Sequence, residues 1–263
     1  MIEALLCYLL LGVVAGTFAG VLGIGGGLII VPTLAIIFKA QGFDQSIIMH
    51  LALGTSLATI VVTSLSSIRT HHQHGAVQWP VVVRLSGGIM VGALCGAFLA
   101  GQLASDWLQK IFAVFALLVA LQMALAWRPE GVRHLPGRAV LAGVGGVTGM
   151  VSAVVGIGGG TMTTPFLLWC HMALRHAIAT SAACGLPIAV AGALGYWLAG
   201  TDVDGLPEWS SGYLYWPALI GVVASSVVCA SFGARMTHLL SVVVLRRGFA
   251  LLLFVIGLYL VLV

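Results

Sequence analysis

The chain is poor in charge. Only 7% of its 263 residues are Asp, Glu, Lys or Arg, whereas about a quarter of the residues in a soluble domain are charged. Hydrophobic residues make up 60% of the chain. This composition excludes a soluble globular domain and indicates a polytopic helical protein in a lipid bilayer. We interpret the net charge of +4 as a matter of membrane topology and not of nucleic-acid binding, because Lys and Arg mark cytoplasmic loops.

Acidic residues are the scarcest charged type. All seven Asp and Glu residues fall in predicted loops or at predicted helix ends, so we expect no carboxylate deep in the membrane. Ion-coupled transporters often place Asp, Glu or His there, and cation channels use rings of acids. This scarcity argues against a cation channel and against coupling through a buried carboxylate. It also leaves the membrane interior without the negative charge that would repel an anion.

Cysteine is sparse and scattered. The five cysteines stand singly, mostly in apolar segments, without a Cys-x-x-Cys pair, and each suits the role of a small hydrophobic residue. His71, His72 and His74 are close in sequence, but no Cys or carboxylate is near them, so we interpret them as a solvated basic loop. We therefore expect no metal ion and no cofactor. An intramembrane enzyme would need a nucleophile with its base, a carboxylate pair or a metal cluster, and none is evident.

Glycine, by contrast, is abundant and is concentrated at two related positions. Residues 23–27 read Gly-Ile-Gly-Gly-Gly and are followed five residues later by Pro32; residues 156–160 repeat this pattern, followed by Pro165. The offset of 133 residues in a chain of 263 indicates two copies of one unit. We predict two membrane repeats and a linker that together form one integrated domain, at 1–127, 128–138 and 139–263.

Each glycine run is expected to break a membrane helix. Glycine is a poor helix former, and irregular backbone within a bilayer must be buried in protein or line a cavity. After each break the chain can restart as a half-helix, at about 27–38 and 160–170. The first amides of such a helix lack partners and carry the positive end of its dipole, which suits an anion. Matched breaks in two halves are typical of a transporter's binding site; close packing of helices through small residues is the alternative.

The other apolar runs have the length of membrane-spanning helices, about 20 residues each. The run at 5–38 is too long for one span and too short for two, so a helix plus a re-entrant half-helix fits it. We predict an all-α polytopic membrane protein of two inverted-topology repeats, each with a broken, re-entrant helix followed by three transmembrane helices. The predicted spans after the broken runs are 46–68, 81–104, 108–127, 177–199, 213–236 and 242–263.

The basic residues favour the inverted arrangement. If each broken run enters and leaves on one side, nine of the eleven Lys and Arg residues share a side with one acid, while the other side holds two basic and six acidic residues. If each broken run crossed once, the charges would divide less sharply. Lys and Arg concentrate on the cytoplasmic side. We therefore predict a bacterial cell (inner) membrane protein with both termini outside and the 128–138 linker in the cytoplasm.

Hydroxyl side chains are the main polar groups within the predicted spans. The Thr-Ser pair at 55–56 recurs at 180–181, and three threonines lie at 161–164. Hydroxyls can donate to an oxyanion without carrying charge; they can equally bond to neighbouring helices or to their own carbonyls. The candidate substrate-binding residues are Gly23, Gly25, Gly26, Gly27, Thr55, Ser56, Gly156, Gly158, Gly159, Gly160, Thr161, Thr180 and Ser181.

Three basic side chains are candidates for gating or for proton transfer. His50 lies five residues before Thr55 and could carry a proton or donate to a substrate; a packed, neutral histidine is the alternative. Arg175 and His176 begin a span of the second half, where they would either attract anions from the cytoplasm or face lipid.

These residues resemble the TauE/SafE family of membrane anion permeases, also called the sulfite exporter family, over nearly the whole chain. The resemblance rests on the paired Gly-Ile-Gly-Gly-Gly breaks with their prolines, on Leu-Gly-Thr-Ser-Leu at 53–57, on the stretch 67–79 and on Gly-Ala-Arg at 233–235. The second half departs from the pattern at 179–181, which reads Ala-Thr-Ser. The resemblance implies transport of sulfite, an organosulfonate, thiosulfate or a related sulfur anion.

We therefore expect a transporter of a small sulfur oxyanion, held between two broken-helix N-termini and moved by alternating access. Export needs no coupling ion, because a membrane potential that is negative inside favours anion exit by about 2.3 kcal/mol per charge per 100 mV. Import, or proton-coupled permeation of a related anion, is the alternative. Whether the chain forms a homodimer is left open, and no nucleic-acid partner is expected.

Reporter fusions test the predicted topology. A fusion within the 128–138 linker should be active only with a cytoplasmic reporter, because that linker belongs to the strongly basic side of the charge distribution. Fusions at either terminus should be active only with an external reporter. An external linker would contradict the inverted arrangement.

Overall fold

A computed structural model describes residues 2–22, 26–125, 135–236 and 242–262, with side chains at 3–18, 26–125, 135–229 and 247–262. Gly23 and Gly25 of the first predicted break, and 128–134 of the predicted linker, lie outside the described residues. The regular secondary structure of the described residues is helical apart from one small hairpin. Its elements are α1 (Ile2–Leu22), α2 (Gly27–Ala40), α3 (Gln45–Gln73), α4 (Trp79–Gln102), α5 (Ser105–Leu125), α6 (Arg138–Val155), α7 (Gly160–Trp169), α8 (Leu174–Ala199), β1 (Ser210–Ser211), β2 (Leu214–Tyr215), α9 (Trp216–Met236) and α10 (Val242–Leu262).

The helices have the lengths that a membrane protein requires. In the described part of the chain, α3, α4, α5, α6 and α8 are each long and apolar enough to cross a membrane. Helices α1, α9 and α10 have 21 residues each, whereas α2 and α7 have 14 and 10. The prediction of an all-α polytopic membrane protein is confirmed, and so are two short helices where half-helices were expected. Most helix ends lie within three residues of the predicted ones; α3 continues from 68 to Gln73.

Helices of one half of the chain pack against helices of the other half in a reciprocal pattern. The first helix of each half packs along the fourth helix of the other half, so that α1 lies against α9 and α6 lies against α4. Helix α3 packs on α8, and α5 packs on α10. A two-fold relation between the halves would produce this pattern, because it maps each of these pairs onto another pair or onto itself. The inverted orientation of the repeats stays a prediction.

Glycines allow the close contact between α4 and α6. A Cβ atom added at Gly88 would overlap the carbonyl oxygen of Ala142, and one added at Gly92 would overlap that of Gly146. In a membrane there is little hydrophobic force between helices, so association depends on close packing, which small residues permit. Gly12 of α1 is packed as tightly against the backbone of α9, which is the corresponding contact in the other half.

The first apolar run turns back to the end of the bundle where it starts. The Gln41 amide, just after α2, donates to the hydroxyl of Tyr8, near the start of α1, at 2.7 Å. The rings of Tyr8 and Phe38 lie 6.5 Å apart, edge to face. Contact between the start of α1 and the end of α2 is the arrangement expected of a re-entrant segment.

A hairpin occupies the start of one predicted span. Strands β1 and β2 pair antiparallel with Ser210 opposite Tyr215, so the span predicted from 213 becomes helical only at Trp216. The turn contains Gly212 at φ +55°, a conformation that glycine adopts at little cost. The hairpin lies directly on α3, because a Cβ atom at Gly54 would overlap the carbonyl oxygen of Tyr213.

Neighbouring glycines in α4 offer a matched test of this packing. We expect Gly88→Ala to lower the free energy of unfolding by about 1–3 kcal/mol, because the new methyl group meets backbone atoms that cannot move aside easily. Gly87→Ala is the control, since a Cβ atom there meets nothing within 4 Å and alanine favours helix. Thermal unfolding of the detergent-solubilised protein compares the two variants. Equal stability would show that α4 and α6 are not packed as closely as described.

Candidate functional site at the helix breaks

The second glycine run separates α6 from α7. Helix α6 ends at Val155, and Gly156 takes a left-handed conformation with φ +70°. Its amide bonds to the Ala153 carbonyl at 3.2 Å, and the Ile157 amide bonds to the Ser152 carbonyl at 3.0 Å. These bonds cap the C-terminus of α6. The chain then runs without helical structure to α7, which begins at Gly160, so the predicted break is present in the second half.

The first half restarts at the matching place. Helix α2 begins at Gly27, 133 residues before the first residue of α7. Gly26 lies in a turn, and its carbonyl accepts the amides of Ile29 and Ile30, both at 3.0 Å. The first turn of α2 therefore has the same position in its half as the first turn of α7 has in the other.

The two breaks touch each other. A Cβ atom added at Gly27 would lie 2.6 Å from the carbonyl oxygen of Gly156 and 2.9 Å from the Cα atom of Ile157. The start of α2 is thus in direct backbone contact with the end of α6. Gly156, Gly158, Gly159 and Gly160 are all buried, as are Gly26 and Gly27. The structure thus brings Gly27 of the first run against Gly156 of the second, in the interior.

Two serines cover the carbonyl groups of the second break. Ser56 on α3 donates to the Gly156 carbonyl at 2.8 Å, and Ser181 on α8 donates to the Gly159 carbonyl at 3.3 Å. Thr164 on α7 donates to the Ser181 hydroxyl at 2.8 Å. The hydroxyl hydrogens of these predicted substrate donors are therefore engaged with the protein. Their effect at the site is to hold the broken backbone and to satisfy acceptors that would otherwise repel an anion.

The two repeated threonines tie one half of the chain to the other. Thr55 on α3 accepts the backbone amide of Tyr215 at 3.0 Å, just before α9 begins. Thr180 on α8 accepts the backbone amide of Gln78 at 3.1 Å, just before α4 begins. Each threonine thus satisfies one of the amides that a helix start leaves without a partner. Its own hydroxyl hydrogen remains available for a second bond.

Three hydroxyls beside the second break have no partner among the described residues. Ser152 is fully buried on the last turn of α6, and Thr161 and Thr163, which are 9% and 2% exposed, lie on the first turns of α7. Buried hydroxyls are normally hydrogen-bonded. Of the three, Thr161 is a predicted substrate-binding residue, and Thr163 belongs to the three threonines at 161–164 whose hydroxyls were expected to be able to donate to an oxyanion. Ser152 was not predicted, although its closeness to the glycine run in sequence was a signal for it.

The site contains no formal charge among the described side chains. Every Asp, Glu, Lys and Arg whose side chain is described is exposed. Asp44 is one example: at the start of α3 it accepts the amide and the hydroxyl of Ser46, both at 2.8 Å, and these bonds lower the pKa of its carboxyl group. Polarity at the breaks therefore comes from the backbone and from hydroxyls. No set of side chains that could hold a metal ion occurs among the described residues.

His50 is packed at one end of α3. Its Nε2 atom lies 3.1 Å from the Ala100 carbonyl oxygen and 3.0 Å from that of Leu103, at the end of α4. Its ring stacks on that of Tyr213 with centroids 4.7 Å apart. Ser56 lies six positions further along α3, or about 9 Å along the helix axis. The structure thus places His50 in a packed contact apart from the breaks, while its Nδ1 atom has no partner among the described residues.

Arg175 and His176 lie at the start of α8 and hold the loop between α3 and α4. Arg175 is exposed, and its Nη2 atom donates to the His74 carbonyl at 2.8 Å. The Nδ1 atom of His176 lies 2.8 Å from the Ala76 carbonyl oxygen and 3.4 Å from the side-chain Nε2 atom of Gln78. The structure does not bring these two residues to the breaks, and their contacts are those of side chains that fix a loop.

Comparison with known proteins agrees with this architecture. The family model described as sulfite exporter TauE/SafE matches residues 8–260. A probable membrane transporter protein of Haemophilus influenzae is 39% identical over 96% of this chain and 96% of its own length. Probable membrane transporter proteins of Bacillus subtilis and Methanocaldococcus jannaschii are 27% and 26% identical, over 89% and 97% of this chain and 90% and 94% of theirs. No solved structure matches the chain.

The apolar helices and these relatives define a multi-pass membrane transporter. The chain belongs to the TauE/SafE sulfite exporter family, whose model covers nearly all of it.

Variants of the two cross-linking threonines test their bonds. We expect Thr55→Val and Thr180→Val each to lower the free energy of unfolding by about 1–3 kcal/mol, because the amide of Tyr215 or of Gln78 loses its acceptor. Thr55→Ser and Thr180→Ser keep the hydroxyl and are the matched controls. Thermal unfolding in detergent separates the pairs, and valine variants as stable as the serine variants would contradict the described bonds.

Proposed function

We propose that this transporter moves a small sulfur oxyanion, such as sulfite, an organosulfonate or thiosulfate, and binds it at the N-termini of α2 and α7. The observation that carries the proposal is the contact between the two breaks, where Gly27 adjoins Gly156 within a buried interior. Helix α2 begins at this contact and α7 begins four residues after Gly156, and each start offers unpaired amides and the positive end of a dipole. Such an arrangement favours an anion.

The electrostatics of the surroundings support an anion over a cation. Half-helices in transporters can also bind cations, through unwound carbonyls. Here the carbonyls of Gly156 and Gly159 accept the hydroxyls of Ser56 and Ser181, which occupies two acceptors of the second break. No carboxylate among the described side chains is buried. Among the described residues, a cation would therefore find no carboxylate and fewer free carbonyls at the second break.

The mechanism that we propose is alternating access by two inverted repeats, 1–127 and 139–263, around the fixed site. The reciprocal packing of α1 on α9 and of α6 on α4 supports a two-fold relation between the halves. Bonds of Thr55 to the start of α9 and of Thr180 to the start of α4 couple the site to the helices of the opposite repeat. In this proposal both termini face outward and the linker faces the cytoplasm.

Export driven by the membrane potential is the direction that we propose, without a coupling ion. Each negative charge that leaves gains about 2.3 kcal/mol per 100 mV of potential that is negative inside.

A second candidate, proton-coupled permeation, is favoured by one observation: the buried Nδ1 atom of His50 has no partner among the described residues. An intramembrane enzyme receives no comparable support, because the free hydroxyls lie beside no buried carboxylate among the described side chains.

Flux through proteoliposomes tests the proposed function. We expect the purified protein to release sulfite or methanesulfonate from vesicles at a rate that rises with membrane potential. Gly159→Val should lower this rate by at least about tenfold, because its side chain would press on α8, where a Cβ atom already lies 2.9 Å from the Ser181 carbonyl oxygen, and would displace the start of α7. Gly143→Val is the matched control, because a Cβ atom at Gly143 meets nothing within 4 Å.

Several outcomes would contradict the proposal. Absence of flux for every sulfur oxyanion in the wild-type protein would contradict the substrate class. Unchanged flux in Gly159→Val, in a variant that inserts and remains monodisperse, would show that the breaks are not the site. A requirement for an inward proton gradient at clamped voltage would favour the proton-coupled candidate, and His50→Gln would then be expected to abolish that requirement.

A further inference from the structure

The unpartnered hydroxyls flank the N-terminus of α7. Ser152 lies on the last turn before the break, and Thr161 and Thr163 lie on the first turns after it. All three are more than nine-tenths buried, and none has a hydrogen-bond partner among the described residues. A buried hydroxyl without a partner costs about 1–3 kcal/mol. Three such groups around one break indicate donors kept for a ligand.

Their directions agree with this reading. Thr163 lies two positions after Thr161, so their side chains leave α7 on opposite sides. In a helix, however, every Cα–Cβ bond leans toward the N-terminus, and both threonine side chains therefore lean toward the break. The nearby hydroxyls of Thr164 and Ser181 are different, because they are joined to each other and to the Gly159 carbonyl.

The first half lacks this set of hydroxyls. The residues 133 positions before Ser152, Thr161 and Thr163 are Ala19, Leu28 and Ile30. Leu28 and Ile30 are buried with 0% and 2% of their surface exposed. The corresponding described positions on α2 are therefore aliphatic, and the hydroxyls without a described partner occur on the α7 side of the contact. A ligand with one polar and one less polar end matches this difference.

The charge available at the site is small. Each helix N-terminus acts as about half a positive charge, so the starts of α2 and α7 together compensate about one negative charge. No Lys or Arg among the described side chains is buried to compensate a second. Since the cost of removing an ion from water grows steeply with its charge, a dianion would lose more hydration than this site replaces.

From these observations we propose that Ser152, Thr161 and Thr163 form a neutral donor subsite at the N-terminus of α7 that selects singly charged oxyanions, with the aliphatic start of α2 on the opposite side. The inference rests on the proposed function and narrows its substrate class. Simple alkylsulfonates, which carry one charge at all ordinary pH values, and sulfite in its hydrogen sulfite form are ligands. Sulfate, thiosulfate and fully deprotonated sulfite are excluded by their second charge.

Ligand binding by the wild-type protein tests the charge rule directly. Sodium methanesulfonate, with one charge, and sodium sulfate, with two, are titrated in detergent at matched ionic strength, with thermal unfolding as the readout. We expect methanesulfonate to bind at least about tenfold more tightly than sulfate. Sulfite should bind more tightly at mildly acidic than at mildly alkaline pH, while the affinity for methanesulfonate should not change with pH. Equal or tighter binding of sulfate would overturn the proposal.

Side-chain variants test the donors. We expect Thr163→Val, Thr161→Val and Ser152→Ala each to weaken methanesulfonate binding by about tenfold or more, the effect of one lost hydrogen bond to a charged group. Thr163→Ser, which keeps the hydroxyl, should bind methanesulfonate with the affinity of the wild-type protein. Thr59→Val is the matched control and should stay within about twofold, because the Thr59 hydroxyl already bonds the Ser56 carbonyl of its own helix at 2.6 Å.

The outcomes separate this inference from the proposed function. If the wild-type protein binds and transports sulfur oxyanions but does not discriminate by charge, or if the valine and alanine variants bind as the control does, the neutral subsite is wrong and the transport function stands. If no sulfur oxyanion of either charge binds or moves, the proposed function fails, and the inference fails with it.

Discussion

Backbone groups that leave a helix inside a bilayer must find new partners, and the centre of this protein is arranged around that requirement. Water is not available there, so each unpaired carbonyl or amide costs several kcal/mol. In the second break, the carbonyls of Gly156 and Gly159 accept the hydroxyls of Ser56 and Ser181. The supporting helices α3 and α8 are among the most buried in the structure. They can hold the break because the hydroxyls extend from rigid, enclosed helices.

In the proposed anion site, hydroxyl bonds to carbonyl groups favour a negative ligand over a positive one. A broken helix presents both donors and acceptors, and the same architecture can in principle take a cation or an anion. Here the carbonyls of Gly156 and Gly159 are occupied, while the hydroxyls of Ser152, Thr161 and Thr163 have no partner among the described residues. In the proposed site, two serines outside the glycine runs thus shift the balance toward donors. This shift needs no charged side chain.

Much of this arrangement was predictable from the sequence, but not the role of each hydroxyl. Two glycine runs at a fixed offset predicted the breaks, and apolar runs of suitable length predicted the helices. The recurring Thr-Ser pair indicated important positions. Spacing alone, however, does not distinguish a free hydroxyl from one bonded to a backbone group far away in the chain, as Thr55 is to Tyr215. The hairpin at 210–215 was missed because its partners, α3 and α8, are also distant in sequence, and Ser152 resembled an isolated polar residue in an apolar helix.

The packing of helices from one half against helices of the other has a consequence for folding during translation. Helix α1 leaves the ribosome first, yet the helix along which it packs, α9, begins only at Trp216. Throughout most of translation the glycine face of α1 must therefore lie against lipid or against an insertion factor. Helix α6 differs, because α4 has already been synthesised and can receive it at once. The nascent protein thus assembles from the middle outward, and its N-terminal helix is among the last to reach its native neighbours.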